Sequence, residues 1–185
     1  TLYANLFYNS TLTTIDISSF DASNVTSMSG MFQNCHNLTE IIGIENLNTN
    51  KVTNMSSMFA MTKSLTSLDL SNWNVNSVTN TNSMFYICEK LETLNLSNWD
   101  MSNATNTGYM FSDCKALHTL RLDNCNNTTI NKIITSVSFP TKAIEGVTRK
   151  IYCKESEAAG LTAPTNWVFE YVVEGPKPYV VGEFR

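Results

Sequence analysis

The chain has 185 residues, a formal net charge of −4 and only 15% charged residues. That length admits one domain with a sizeable core, and the acidic balance argues against nucleic acid, whose binders carry a basic stripe. No apolar run reaches the roughly 18 residues of a membrane span, and Asn, Ser and Thr carry the surface in place of charge.

A repeat governs the order of elements. Leu12, Leu38, Leu65, Leu91 and Leu117 fall into register at steps of 26, 27, 26 and 26 residues, a period that marks stacked repeats. Residues 1–11 resemble the second half of a preceding unit, with Leu6-Phe7 in the Met-Phe position. They form a partial repeat or cap, cut from an array that continues upstream or degenerate at its end. The chain opens at Thr1 without Met or leader and is expected to be a piece of a longer protein. Units follow at Leu12–Asn37, Leu38–Ser64, Leu65–Lys90 and Leu91–Ala116. In the fourth, Leu91, Leu94 and Leu96 alternate as a strand does. Asp100-Met101-Ser102-Asn103 offers helix-starting side chains, and Ala104, Thr107, Met110, Phe111 and Cys114 share one face of a short α or 3₁₀ helix. The second unit carries one extra residue near Ile42-Gly43-Ile44, which predicts a bulge or shifted turn.

The fifth unit starts at Leu117 and then diverges. Ile130, Ile133, Ile134 and Val137 predict one apolar face of a closing helix that Pro140 ends. A turn at Gly146–Thr148, a strand at Lys150–Cys153, a short helix at Glu155–Gly160 and a strand at Trp167–Val173 complete the reading. The array thus spans 12–147, a C-terminal αβ cap spans 148–173, and 174–185 is a linker or tail strand.

Matching columns recur from unit to unit: Val25, Val52, Val78, Ala104 and Phe32, Phe59, Phe85, Phe111 in the first four, and Phe20, Leu47, Trp73, Trp99, Cys125 in all five. One unit buries too little to offset its own chain entropy, so the columns predict ladders in a shared core. Cys35, Cys88 and Cys114 occupy one repeat position and are read as core thiols. A Cys88–Cys114 disulfide between neighbouring rungs remains open as an alternative. No C-x-x-C pair or Cys/His cluster supports a metal site, and no cofactor is expected. His36 and His118 stand in different columns and are read as solvated. The N-x-S/T triplets at Asn9, Asn24, Asn37, Asn54, Asn95, Asn103, Asn126 and Asn127 follow largely from the repeated text. Geometry favours the outward strand positions as a binding face along one continuous sheet. One row is Thr14, Glu40, Ser67, Thr93, Thr119; the next is Asp16, Asp69, Asn95, Arg121.

The string from Leu65 to Cys88, LTSLDLSNWNVNSVTNTNSMFYIC, resembles the BspA-like leucine-rich repeats of bacterial surface proteins, which overlap with mycoplasma-type surface-lipoprotein repeats. Arg149 to Trp167 also resembles the terminal cap of such arrays in gut bacteria and their phages. The resemblance implies an α/β leucine-rich-repeat solenoid of about five strand–turn–short-helix units. It further implies extracellular display, on a bacterial surface or a phage particle, and adhesion or recognition of a protein or glycan partner rather than catalysis. A spacer that carries another domain is the alternative; neither reading involves nucleic acid or direct membrane insertion by this segment.

Overall fold

The computed structural model describes residues 2–173. The units supply strands β1 (Thr14–Asp16), β2 (Glu40–Ile42), β3 (Ser67–Asp69), β4 (Thr93–Asn95) and β5 (Thr119–Arg121). In each, the middle residue points inward and its two neighbours outward, as a two-residue side-chain period requires. All pair in parallel, and β6 (Arg149–Cys153) and β7 (Trp167–Tyr171) continue the series beyond β5. The architecture is mixed α/β with parallel sheets and few helices.

The second half of each of the first four units differs from expectation: it is a run of tight turns, not a helix. Amides alternate between two jobs. Met31, Gln33 and Cys35 donate back to Met28, Gly30 and Phe32, closing turns within the unit. Met28, Gly30, Phe32 and Asn34 donate at 2.9 Å to the carbonyls of Asn54, Ser56, Met58 and Ala60 in the next unit. The same four-rung pattern joins residues 55–61 to 80–86 and 81–87 to 106–112, and residues 3–9 to 27–33. A helix would keep those amides to itself. Left-handed residues four apart also break any helix: Gly30 and Asn34, Ser57 and Met61, Ser83 and Ile87, Tyr109 and Asp113. Such backbone costs about 1–2 kcal/mol for a residue with a Cβ, which the cross-unit bonds offset. The apolar spacing that suggested a helix serves the turn ladder equally, because both bury positions three and four apart.

Asp100–Asn103 likewise forms no helix start. Ser102 N–H donates 3.0 Å to Asp100 Oδ1 within a turn, the closure that Asp and Asn side chains favour locally. Asn54, Asn80 and Asn95 accept from Ser56, Asn82 and Ser97 in the same way.

The core is a set of columns. Phe32, Phe59, Phe85 and Phe111 are fully buried and stack with centroids 5.5, 5.6 and 5.6 Å apart and planes within 16° of parallel. Phe7 extends the column at one end and Phe139 closes it edge-on at the other. All five cysteines are buried and free; burial pushes Cys125 up to about 12 and Cys153 to about 11. Cys35, Cys88 and Cys114 donate S–H bonds to the carbonyls of Phe7, Phe59 and Phe85. In the turn column, Trp73 and Trp99 Nε1 bond to Ile44 and Leu70 carbonyls, and Cys125 Sγ reaches Leu96. Leu12, although in register with buried leucines, is 55% exposed because no strand covers it.

The extra residue is Gly43, placed between β2 and a 3₁₀ turn at Ile44–Asn46. Its φ of 84° suits glycine, and a Cβ there would lie 2.5 Å from Ser18 Cα. The displaced turn thus leans on the first unit, and β2 does not pair with β3. The strands form a two-stranded sheet, β1-β2, and a five-stranded sheet, β3 to β7, rather than one continuous sheet.

Beyond the fourth unit, side chains replace the missing rung. Helix α1 (Asn127–Ile134) is capped by Asn126, whose side chain accepts from Thr129 N–H. Thr129 Oγ1 accepts the Met101 amide. Ser136 Oγ accepts from Met110 N–H and donates to Thr107 O. Lys132 Nζ donates to the carbonyls of Met101, Ser102 and Ala104 at 2.7–3.0 Å. Ile130, Ile133 and Ile134 face the core, but the helix ends at Ile134, six residues before Pro140, and Val137 is exposed. Arg149, buried with no carboxylate paired to it among the described residues, donates to the carbonyls of Pro140 and Lys115 beneath the Trp167 ring. Helix α2 (Glu155–Ala158) sits between β6 and β7. The expected tail at 174–185 lies outside the described residues.

Phe85→Ala should lower unfolding free energy by about 3–5 kcal/mol, since the stack is close-packed above and below; a urea titration reads it. Lys132→Met, which takes the lysine donor from Ser102 O and Ala104 O and leaves Met101 O with only the Ala104 amide, should cost about 1–3 kcal/mol in the same assay while the circular dichroism spectrum is kept.

Candidate functional site

The outward residues of the strands form two rows. The first runs Thr14–Glu40, then, across the break, Ser67–Thr93–Thr119–Lys150–Val168. The second runs Asp16–Ile42, then Asp69–Asn95–Arg121–Tyr152–Glu170. Because the sheet opens between β2 and β3, the face is not flat. A groove of about 800 Å³ starts at the break and crosses β4 to β5. Glu40, Ser67, Asp69, Thr93, Asn95, Thr119 and Arg121 line it; Thr14 and Asp16 do not. Glu45 and Asn72 join the rim and Ile41, Ile44, Leu65, Leu68 and Leu94 form the floor.

Three carboxylates, Glu40, Glu45 and Asp69, outnumber the one cation, Arg121, in this lining. Arg121 is itself engaged: its guanidinium pairs with Asp123 and lies 4.7 Å over the Tyr152 ring. At the far end of the face Lys150 pairs with Glu170 at 3.0 Å, an interaction that raises the lysine's pKa through the hydrogen bond and the charge. Sequence reasoning missed Lys150, Tyr152 and Glu170 as members of the face, because the step from β5 to β6 falls outside the 26-residue period. It also missed Glu45 and Asn72, which only the break exposes together; the extra residue in unit two was the available signal.

His118 is not simply solvated. Its Nδ1 lies 2.9 Å from Thr119 Oγ1, and its Nε2 lies 3.9 Å from Glu92 Oε2, too far for the orienting hydrogen bond a catalytic base would use. Among the described residues no group of three His, Cys, Asp or Glu side chains could hold a metal ion, and no helix is long and apolar enough to cross a membrane. The groove is an open, acidic, hydroxyl- and amide-rich surface over a partly apolar floor.

The chain is therefore a repeat-built α/β protein whose parallel strands present one grooved face. Residues 1–124 match the family described as "Mycoplasma protein of unknown function, DUF285", and the chain belongs to that family. No curated protein matches it. The match covers the array through β5 and stops before α1.

Several aspartates are held below their usual range. Side-chain and backbone hydrogen bonds from Ser18, Ser23 and Ser102 lower Asp16, Asp21 and Asp100. At Asp69 burial works the other way but is outweighed by bonds from Ser71 and Asn95. A carboxyl depressed in the folded state adds stability above its unfolded pKa and loses it as pH falls through the folded value. The thermal midpoint should therefore drop as pH is taken below about 4, and less steeply in Ser18→Ala and Ser71→Ala.

Proposed function

We propose that the protein is a non-enzymatic recognition or adhesion module: a leucine-rich-repeat solenoid of the BspA-like type, displayed on a bacterial surface or a phage particle. One observation carries this reading. Seven of the nine outward strand residues singled out in the sequence line a single groove. Stacked repeats give such a face length and rigidity at little conformational cost, and its short polar side chains suit a weak contact repeated over several units. The cross-unit backbone bonds hold those side chains at a fixed strand spacing, so a partner would meet an ordered surface. A protein or glycan partner outside the cell fits the resemblance of the repeats to surface-protein arrays.

The test is direct binding of the folded chain to a printed panel of mucin-type glycans and extracellular matrix proteins. The expected result is capture by at least one member, weakened about tenfold, or 1.4 kcal/mol, by Thr93→Arg with Thr119→Arg. Silence across the panel from the folded chain, or binding indifferent to those two substitutions, would overturn the reading and leave a spacer in its place.

A further inference from the structure

Resting on that recognition reading, we propose that the groove takes an extended segment of a basic polypeptide, laid along β3 as an added strand. Three observations converge on it. The first is an unfinished ladder. Bonds from the Glu92 and Thr93 amides to Thr66 O, and from Leu70 N–H to Asn95 O, place the even-numbered residues of β3 against β4. The alternation of a parallel ladder then turns the peptide groups of Ser67 and Asp69 toward β2. No backbone hydrogen bond joins β2 to β3 there. An exposed row of strand donors and acceptors is the surface to which extended peptides add.

The second is the floor. Ile41 and Leu68, at 6% and 8% exposed, are less covered than their counterpart Leu94 at 1%, and Ile44, at 7%, is less covered than its counterpart Leu96 at 0%. Alternate side chains of an added strand would reach this apolar strip. The third is charge. Glu40 and Glu45, on the β2 side, and Asp69, on β3, line the opening, while Arg121 at the far end is occupied by Asp123. Carboxylates on both banks favour Lys or Arg on the segment between them. A sugar would find no aromatic plate to lie on, since Tyr152 sits under Arg121 and outside the lining.

The probe is a short peptide of alternating Lys and Val, with alternating Glu and Val as control, titrated into the full chain and followed by amide hydrogen exchange. The Lys-Val peptide should bind and slow exchange at Ser67 and Asp69, and the Glu-Val peptide should not. Reversing Glu40→Lys with Glu45→Lys should weaken binding about tenfold, each exposed charge contributing a few-fold. Deleting Gly43, which restores a 26-residue unit and lets β2 meet β3, should abolish binding while the melting temperature holds. Equal binding of both peptides, protection elsewhere, or indifference to the charge reversal would overturn the proposal; the reversed residues are exposed, so that variant does not depend on refolding the core. If the panel above captures the chain while the Lys-Val peptide fails, only this inference falls; if both fail, the recognition reading falls as well.

Discussion

The alternation of amides in the turn segments holds the rest in place. Every second N–H between residues 28 and 34 leaves its own unit and bonds to the next, and the pattern recurs at each junction up to the fourth unit. That link sets the rise from one unit to the next, and the phenylalanine column follows at 5.5–5.6 Å. Backbone satisfaction and apolar packing thus depend on one translation, and no unit can supply either alone. The sealing of the last unit makes the same point, because Thr129, Lys132 and Ser136 answer peptide groups that another unit would otherwise meet.

Against this regular side, the strand side tolerates irregularity. The turn ladder, with the Trp73 bond to Ile44, carries the junction between the second and third units even where the strands part. The opening therefore leaves the core intact, and the most exposed floor residue among Ile41, Ile44 and Leu68 is still 92% covered. A groove forms without a cavity in the core, which is why structure and site can be altered separately here.

Much of the fold was legible in the sequence, for a physical reason. Leucine and phenylalanine columns at a fixed period report burial directly, and the cysteines at one repeat position proved buried and unpaired. The turn segments were misread because Met28, Met31, Phe32 and Cys35 satisfy helical and ladder spacing alike. Gly30 and Asn34 hinted at left-handed backbone, but Met61, Ile87 and Tyr109 in the equivalent positions of later units hid it. Of the face, the rows were legible and the break was not: an extra residue announces a local shift without saying which neighbour loses its partner. The close approach of Gly43 to Ser18 decided that, and it is a contact between units that no single unit's text contains.

Gly43 also fixes where the strand face opens. One inserted codon after a strand turns a smooth ribbon into a notched one, and the notch lands beside whichever unit received it. Moving the insertion one unit along would carry the notch about 4.8 Å, one strand spacing, past a different pair of outward side chains. The place of a single glycine therefore decides which strands part, with the hydrophobic ladder left untouched.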